Sequence, residues 1–431
     1  MPILAFFMEK IMRKMRLGTR KLLFRAAIIA GILFGIIVIS LIINAFSEDH
    51  FLAKTLAYAD EKPQTNVVST PVVKPTDVDS GVHFSMNDII WEGDTAWVNL
   101  NDGRKAKLTL RRDLMDTIRR SLTEHPVPYG GAVAIEPGTG RILAIESASN
   151  ARPPIENYAL RSLAPSASTF KLVTAAALLE NNAVDPQANV CYPEGAEGGL
   201  SESHIRGTTN LTRCNSLTYA IAHSTNALIA RLAYQHLSRE DLERIAIKFG
   251  FNREIPLEVA SEISTAEFVE DDVERARSAA GFWHVNLSPL HGALIMAGII
   301  NGGIIMRPTL VDSIYDAMGN LVYTMEPKPW LVAMTAQHAE TLTRMSEATT
   351  REGTARKVFA SRKGWKKGVA TGGKTGTLSN KQPFYTYTWY VGWGALNDDK
   401  IAVGSVVVNN ETWWIKGTHV AARTIGTYFH D

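Results

Sequence analysis

Hydrophobic positions recur along this chain in three rhythms, and each predicts a different kind of element. From Ala26 to Phe46 the sequence reads AAIIAGILFGIIVISLIINAF, a run of 21 residues without a charge. A bilayer's hydrocarbon core needs ~20 apolar residues of helix, so this run predicts one membrane-spanning helix. Loose alternation over residues 81–101 predicts two short strands, one around Ile89, Ile90 and Trp91, the other around Ala96, Trp97 and Val98. Leu114, Ile118 and Leu122 then share one face of an amphipathic helix over Arg112–Thr123. GGAVAIE, the turn PGTG and RILAIESA predict a hairpin. Residues 168–300 are mostly helical in pattern, including LTYAIAHSTNALIARLAYQHL and ALIMAGIINGG. Past Thr371 the two-residue period returns in TYTWYVGWGAL and KIAVGSVVVN, parted by the turn NDD. A last amphipathic helix is predicted from His419 to about Phe429.

Strands towards both ends with helices between them predict an α+β fold. In it, distant segments build one antiparallel sheet, flanked by helices and carrying a largely helical insertion. The polar, proline-dotted stretch after Ser47 reads as a linker. The chain thus divides into a basic segment (1–25), the membrane helix (26–46), a linker with a short β-rich segment (47–106) and a main domain (107–431).

Charge adds an orientation. Lys10, Arg13, Lys14, Arg16, Arg20, Lys21 and Arg25 precede the apolar run, and Glu48 and Asp49 follow it. This predicts a cytoplasmic N-terminus, with everything after the run outside the cytoplasm. A cleaved secretory signal is the rival, but its apolar core would run to only ~7–15 residues. The formal net charge of +2 gives no case for nucleic acid. Cys191 and Cys214 lack the spacing of a metal site or a redox CxxC pair. An oxidising compartment favours a structural disulfide between them, with two buried free thiols as the alternative.

Candidate chemistry begins at PSASTFKLVTAAALLENN, where Ser168 stands three residues ahead of Lys171 and a greasy helix follows. Positions i and i+3 share a helix face, so Lys171 reaches the Ser168 hydroxyl. A serine is a poor nucleophile until a base takes its proton. Burial and neighbouring cations lower a lysine pKa and make its amine such a base. Unpaired N–H groups at the helix start can hold an oxyanion. Alone, this spacing is matched by chance or by an N-cap. Two motifs follow in order, however: Ser224-Thr225-Asn226, and Lys374-Thr375-Gly376-Thr377 at the start of the late strands. A second SxN at Ser85 precedes the nucleophile and reads as loop. His204, His223, His284 and His291 read as surface or core residues.

The ordered set STFK, STN and KTGT resembles the penicillin-binding protein and serine β-lactamase superfamily. The resemblance covers roughly residues 107–431. GAVAIEPGTGRILAIES looks like the strand pair ahead of the nucleophile, and NLSPLHGALIMAGIINGG, RPTLV and REGTA look like the segments before KTG. It implies that Ser168 is acylated by a D-Ala-D-Ala stem peptide or a β-lactam, with Lys171 as general base. Ser224 would relay the proton to the leaving group, while Asn226 would bind the substrate amide and steady Lys171. Lys374, Thr375 and Thr377 would hold the substrate carboxylate, and Gly376 would let another backbone approach. The N–H groups of Ser168 and Thr377 would form the oxyanion hole. No metal or cofactor is implied. Ala167 stands where the family usually has glycine; alanine is small, so the fit should survive.

The resemblance implies a membrane-anchored D,D-transpeptidase that cross-links peptidoglycan and binds penicillin, with its catalytic domain on the periplasmic side of the inner membrane. Two rivals share the site: a D,D-carboxypeptidase, and a β-lactamase of the class D kind. The glutamate-dependent lactamases carry an ExxxN, which is absent after Ser168. From another class come a non-enzymatic β-lactam sensor and an inactive scaffold. With no segment to polymerise glycan, the implied partner is a lipid-linked glycan polymerase.

Overall fold

The computed structural model describes residues 72–73, 78–193, 200–207, 210–382 and 384–430. The apolar run 26–46 and most of the linker lie outside the described residues. Among those described, no helix is long and apolar enough to cross a membrane.

Strands β1 (Ile90–Glu92), β2 (Thr95–Asn99) and β3 (Lys105–Leu108) form an antiparallel meander. Helix α1 (Arg112–Thr123) occupies the range its apolar spacing predicts, with Leu114, Ile118 and Leu122 fully buried. Strands β4 (Tyr129–Ile135) and β5 (Ile142–Ser149) are the predicted hairpin. A 3-10 turn, Ala167–Phe170, leads into α2 (Lys171–Glu180). Next come β6 (Val190–Pro193), α3 (Glu202–Arg206), β7 (Leu211–Asn215), α4 (Leu217–His223), α5 (Asn226–His236) and α6 (Arg239–Lys248). Helices α7 (Asp272–Ala279) and α8 (Pro289–Ile300) close the helical part. Four short strands follow: β8 (Ile304–Met306), β9 (Val311–Tyr315), β10 (Leu321–Thr324) and β11 (Pro329–Val332). Then come α9 (Ala336–Arg351), α10 (Arg356–Phe359), the long strands β12 (Ala370–Lys381), β13 (Phe384–Leu396) and β14 (Asp399–Asn409), and finally α11 (Gly417–Tyr428).

The main sheet has the order β12-β13-β14-β4-β5, so an early hairpin and three late strands make one antiparallel surface. Every residue of α8 is buried beneath one face. Helices α1 and α11 pack together over the opposite face, where Gly394 of β13 meets Ile425 and Phe429. The arrangement is the expected α+β layering, with β12 left as a free edge.

Three local readings are refined in the structure. The stretch 217–237 keeps one apolar pattern but breaks between α4 and α5, where Ser224 takes a left-handed φ of 60°. Helix α11 starts two residues early because the Gly417 N–H donates to Thr388 Oγ1 and its carbonyl accepts from Ser405 Oγ. Ser85 caps a one-turn 3-10 helix, Met86–Asp88, where the sequence reads as loop. The two strands read from 81–101 belong to a second antiparallel sheet of five, β10-β9-β3-β2-β1, two of whose strands come from residues 311–324. The division placed at 106/107 falls inside β3. Cys191 and Cys214 face each other across β6 and β7 and are bonded.

Candidate active site

Ser168 sits half-buried in the 3-10 turn that opens α2, and Lys171 begins the α-helix proper with no exposed surface. The helix forms there because Leu172–Leu179 is free of glycine and proline and finds burial on every side. That same burial strips water from the lysine. Its Nζ lies 2.6 Å from Ser168 Oγ, 2.7 Å from Asn226 Oδ1 and 2.6 Å from the Ala280 carbonyl oxygen. Burial, and then the charge of Lys374, hold the Lys171 pKa well below the ordinary lysine value. A neutral amine has two N–H bonds and one lone pair. Asn226 Oδ1 and the Ala280 carbonyl can only accept, so they take both N–H bonds. The lone pair is left for the Ser168 hydroxyl, the one neighbour with a proton to give. This is the geometry of a general base.

Asn226 is the first residue of α5, and Ser224 stands two residues earlier at the end of α4, half-buried. The left-handed turn at Ser224 separates the two helices and puts both residues at their junction. KTGT lies on the free edge strand β12. Lys374 is fully buried, donates to the Thr375 carbonyl at 2.8 Å, and is brought down to a pKa of about 7 by burial. Thr377 is exposed on the same strand. At Gly376 a Cβ would lie 3.2 Å from Ala167 Cβ and from Thr169 Cγ2, so the glycine lets β12 rest on the 3-10 turn. Gly372 and Gly373 lie within β12, not in a turn, and the Tyr390 hydroxyl donates to the Gly372 carbonyl. Trp389 Nε1 donates to the Pro165 carbonyl at 2.8 Å and ties the sheet to the nucleophile segment.

The structure therefore gathers Ser168, Lys171 and Asn226 into one hydrogen-bonded cluster. It sets Lys374, Thr375, Gly376 and Thr377 on the strand beside the turn. Sequence reasoning missed the Ala280 carbonyl and Gly281, which follow α7. A Cβ at 281 would lie 2.2 Å from the Ala167 carbonyl oxygen. A glycine after a helix end is the only signal there, and it does not point to Lys171. His291 is a core residue, held neutral by burial with a pKa of about 4, and its Nε2 bonds the Phe249 carbonyl.

Fold and site together define one class of protein, in which a serine with a buried lysine base is set beside the edge strand of an α+β fold. The chain belongs to the penicillin binding protein transpeptidase domain family, whose pattern it matches over residues 130–427. Among curated relatives it is 30% identical to a peptidoglycan D,D-transpeptidase, PbpA, of Mycolicibacterium smegmatis, over 64% of this chain and 61% of that one. It is 25% identical to the stage V sporulation protein D of Bacillus subtilis, over 77% of this chain and 53% of that one. The chain spans about three fifths of the length of the first of these relatives. The crystal structure of PBPA from Mycobacterium tuberculosis superposes with a TM-score of 0.62 at 24% identity, covering 75% of this chain and 79% of that one.

Proposed function

We propose that this protein is a serine D,D-transpeptidase that cross-links peptidoglycan stem peptides and is acylated by penicillin. The observation that carries the reading is the Lys171 amine, whose two carbonyl partners leave its lone pair to Ser168. Ser168 Oγ attacks the carbonyl of the penultimate D-alanine as its proton passes to Lys171. The N–H groups of Ser168 and Thr377 hold the oxyanion. The C–N bond then breaks, and the leaving D-alanine takes up a proton relayed through Ser224. An amine of a second stem peptide attacks the resulting ester and frees Ser168. Lys374, Thr375 and Thr377 hold the substrate carboxylate. The uncharged run 26–46 and the basic cluster before it support a single-pass anchor in the inner membrane with the catalytic domain outside the cytoplasm. A lipid-linked glycan polymerase in that membrane is the partner that would supply strands to such a site.

Intact-mass spectrometry of the protein with benzylpenicillin, followed over time, tests the reading. A long-lived adduct on Ser168 is expected, absent in Ser168→Ala. Lys171→Ala should acylate ~10²–10⁴-fold more slowly. Rapid release of the adduct would make it a lactamase, and an adduct that survives in Ser168→Ala would assign the nucleophile elsewhere.

A further inference from the structure

The short segment Glu352-Gly353-Thr354-Ala355 joins α9 to α10 and has no part in that mechanism. Backbone bonds fix it. The Gly353 and Ala355 N–H groups donate to the Ala348 and Thr349 carbonyls at 2.8 and 3.0 Å, and the Thr354 N–H donates to the Ala222 carbonyl of α4 at 3.0 Å. That last contact needs glycine at 353, where a Cβ would lie 2.1 Å from the Ala222 oxygen. One turn earlier, Thr350 Oγ1 donates to the Thr371 carbonyl at 2.7 Å and holds the end of α9 on β12. Thr354 is thus clamped between the end of α4, two residues before Ser224, and the strand that carries KTGT.

Its hydroxyl oxygen lies 2.6 Å from Thr375 Oγ1. Thr354 is exposed and Thr375 half-buried, so the pair borders solvent. Each hydroxyl has one proton to give. If Thr375 gave its proton to Thr354, the Thr354 proton would turn to solvent or to the Ala222 carbonyl at 3.4 Å, and Thr375 would have none left for a ligand. If Thr354 donates instead, the short bond forms and the Thr375 proton stays free. We propose that Thr354 is a positioning residue, whose hydroxyl donates to Thr375 and so keeps Thr375 as a hydrogen-bond donor towards the substrate carboxylate. This rests on the reading above in which Thr375 binds that carboxylate.

The test compares second-order acylation by benzylpenicillin and by its methyl ester, which lacks the carboxylate charge. Wild type, Thr354→Val, Thr354→Ser, Thr375→Val and the Thr354→Val/Thr375→Val pair are read by intact mass, with a melting curve for each. Thr354→Val should slow benzylpenicillin ~10-fold, the scale of a hydrogen bond to a charged group. The ester should change by less than ~2-fold, Thr354→Ser should recover the rate, and adding Thr354→Val to Thr375→Val should cost under ~2-fold more. Equal slowing of acid and ester would show a merely structural role. Slowing that persists in the Thr375→Val background would mean that Thr354 touches the substrate itself, and unchanged benzylpenicillin kinetics would mean it is idle; each overturns the proposal. If valine at 354 prevents folding, Thr354→Ala is read against the same acid-to-ester ratio. A wild type that forms no Ser168 adduct would instead overturn the functional reading, and this inference with it.

Discussion

Lys171 and Lys374 are both fully buried, a state lysine seldom adopts, and the cost of that burial is what makes them useful. Lys374 falls from an ordinary value of 10.5 to about 7 in the fold. Between those two values the unfolded chain binds more protons than the folded one. Stability therefore rises with pH across that window, and the full penalty applies below about 7. Lys374→Met, similar in length and uncharged, should raise the melting temperature by ~3–5 °C at pH 6. The gain should shrink towards zero at the alkaline end of the window, and penicillin labelling should be lost throughout. A melting temperature at pH 6 equal to wild type would show that Lys374 carries no such strain. Ala167 belongs to the same account. Its side chain fits, as expected, but its φ of 49° is left-handed and disfavours alanine by ~1–2 kcal/mol. The turn around the nucleophile is held in that conformation by its neighbours, among them Trp389 and Gly281.

At the scale of elements, the ends of helices build the site more than their faces do. Asn226 opens α5, Ser224 closes α4, Lys171 opens α2, and Ala280 ends α7. Gly281, with φ 94°, lets the chain turn away from α7 directly over the Ala167–Ser168 peptide. Gly281→Ala would put a methyl into that peptide and push the Ala280 carbonyl off Lys171. With only one fixed acceptor left, the amine would no longer aim its lone pair at Ser168. Displacements of ~1 Å at such points cost on the order of 10²-fold in rate, so labelling by a fluorescent penicillin should fall by that order while the circular dichroism spectrum stays native. Labelling at the wild-type rate would remove Ala280 from the mechanism.

Across the whole molecule the two sheets are fastened to each other. The Thr109 hydroxyl donates to the Ile142 carbonyl, the Ile142 N–H to the Thr309 carbonyl, and the Arg111 N–H to the Leu143 carbonyl. Buried Glu258 accepts from Ser80, Thr309 and the Leu310 N–H, adding a link from residues before β1. A chain beginning at residue 107 would lose β1, β2 and half of β3, and would leave β9 its pairing with β10 but only half of that with β3. It should melt lower than a chain beginning at residue 72, by ~5 °C or more, and acylate poorly at 37 °C. Equal melting temperatures for the two would show that the second sheet is an appendage.

The sequence by itself determined whatever depends on local period or on covalent spacing. Residues 112–123 were legible because Leu114, Ile118 and Leu122 recur at the helical repeat, and the β4–β5 hairpin because its turn is bounded by apolar runs. Ser168 and Lys171 meet for a similarly local reason, being three apart on one helical turn. Asn226 and KTGT were legible as motifs whose order resembles a family, and their meeting with Ser168 could not be computed from spacing. Other features were beyond local reading. The pairing of β3 with β9, the left-handed break at Ser224 and the early start of α11 each satisfy a partner far along the chain. The Ala280 carbonyl is such a partner too, 109 residues from the lysine it receives. So are the depressed pKa values: composition supplies the lysines, but only packing removes the water that would have kept them charged.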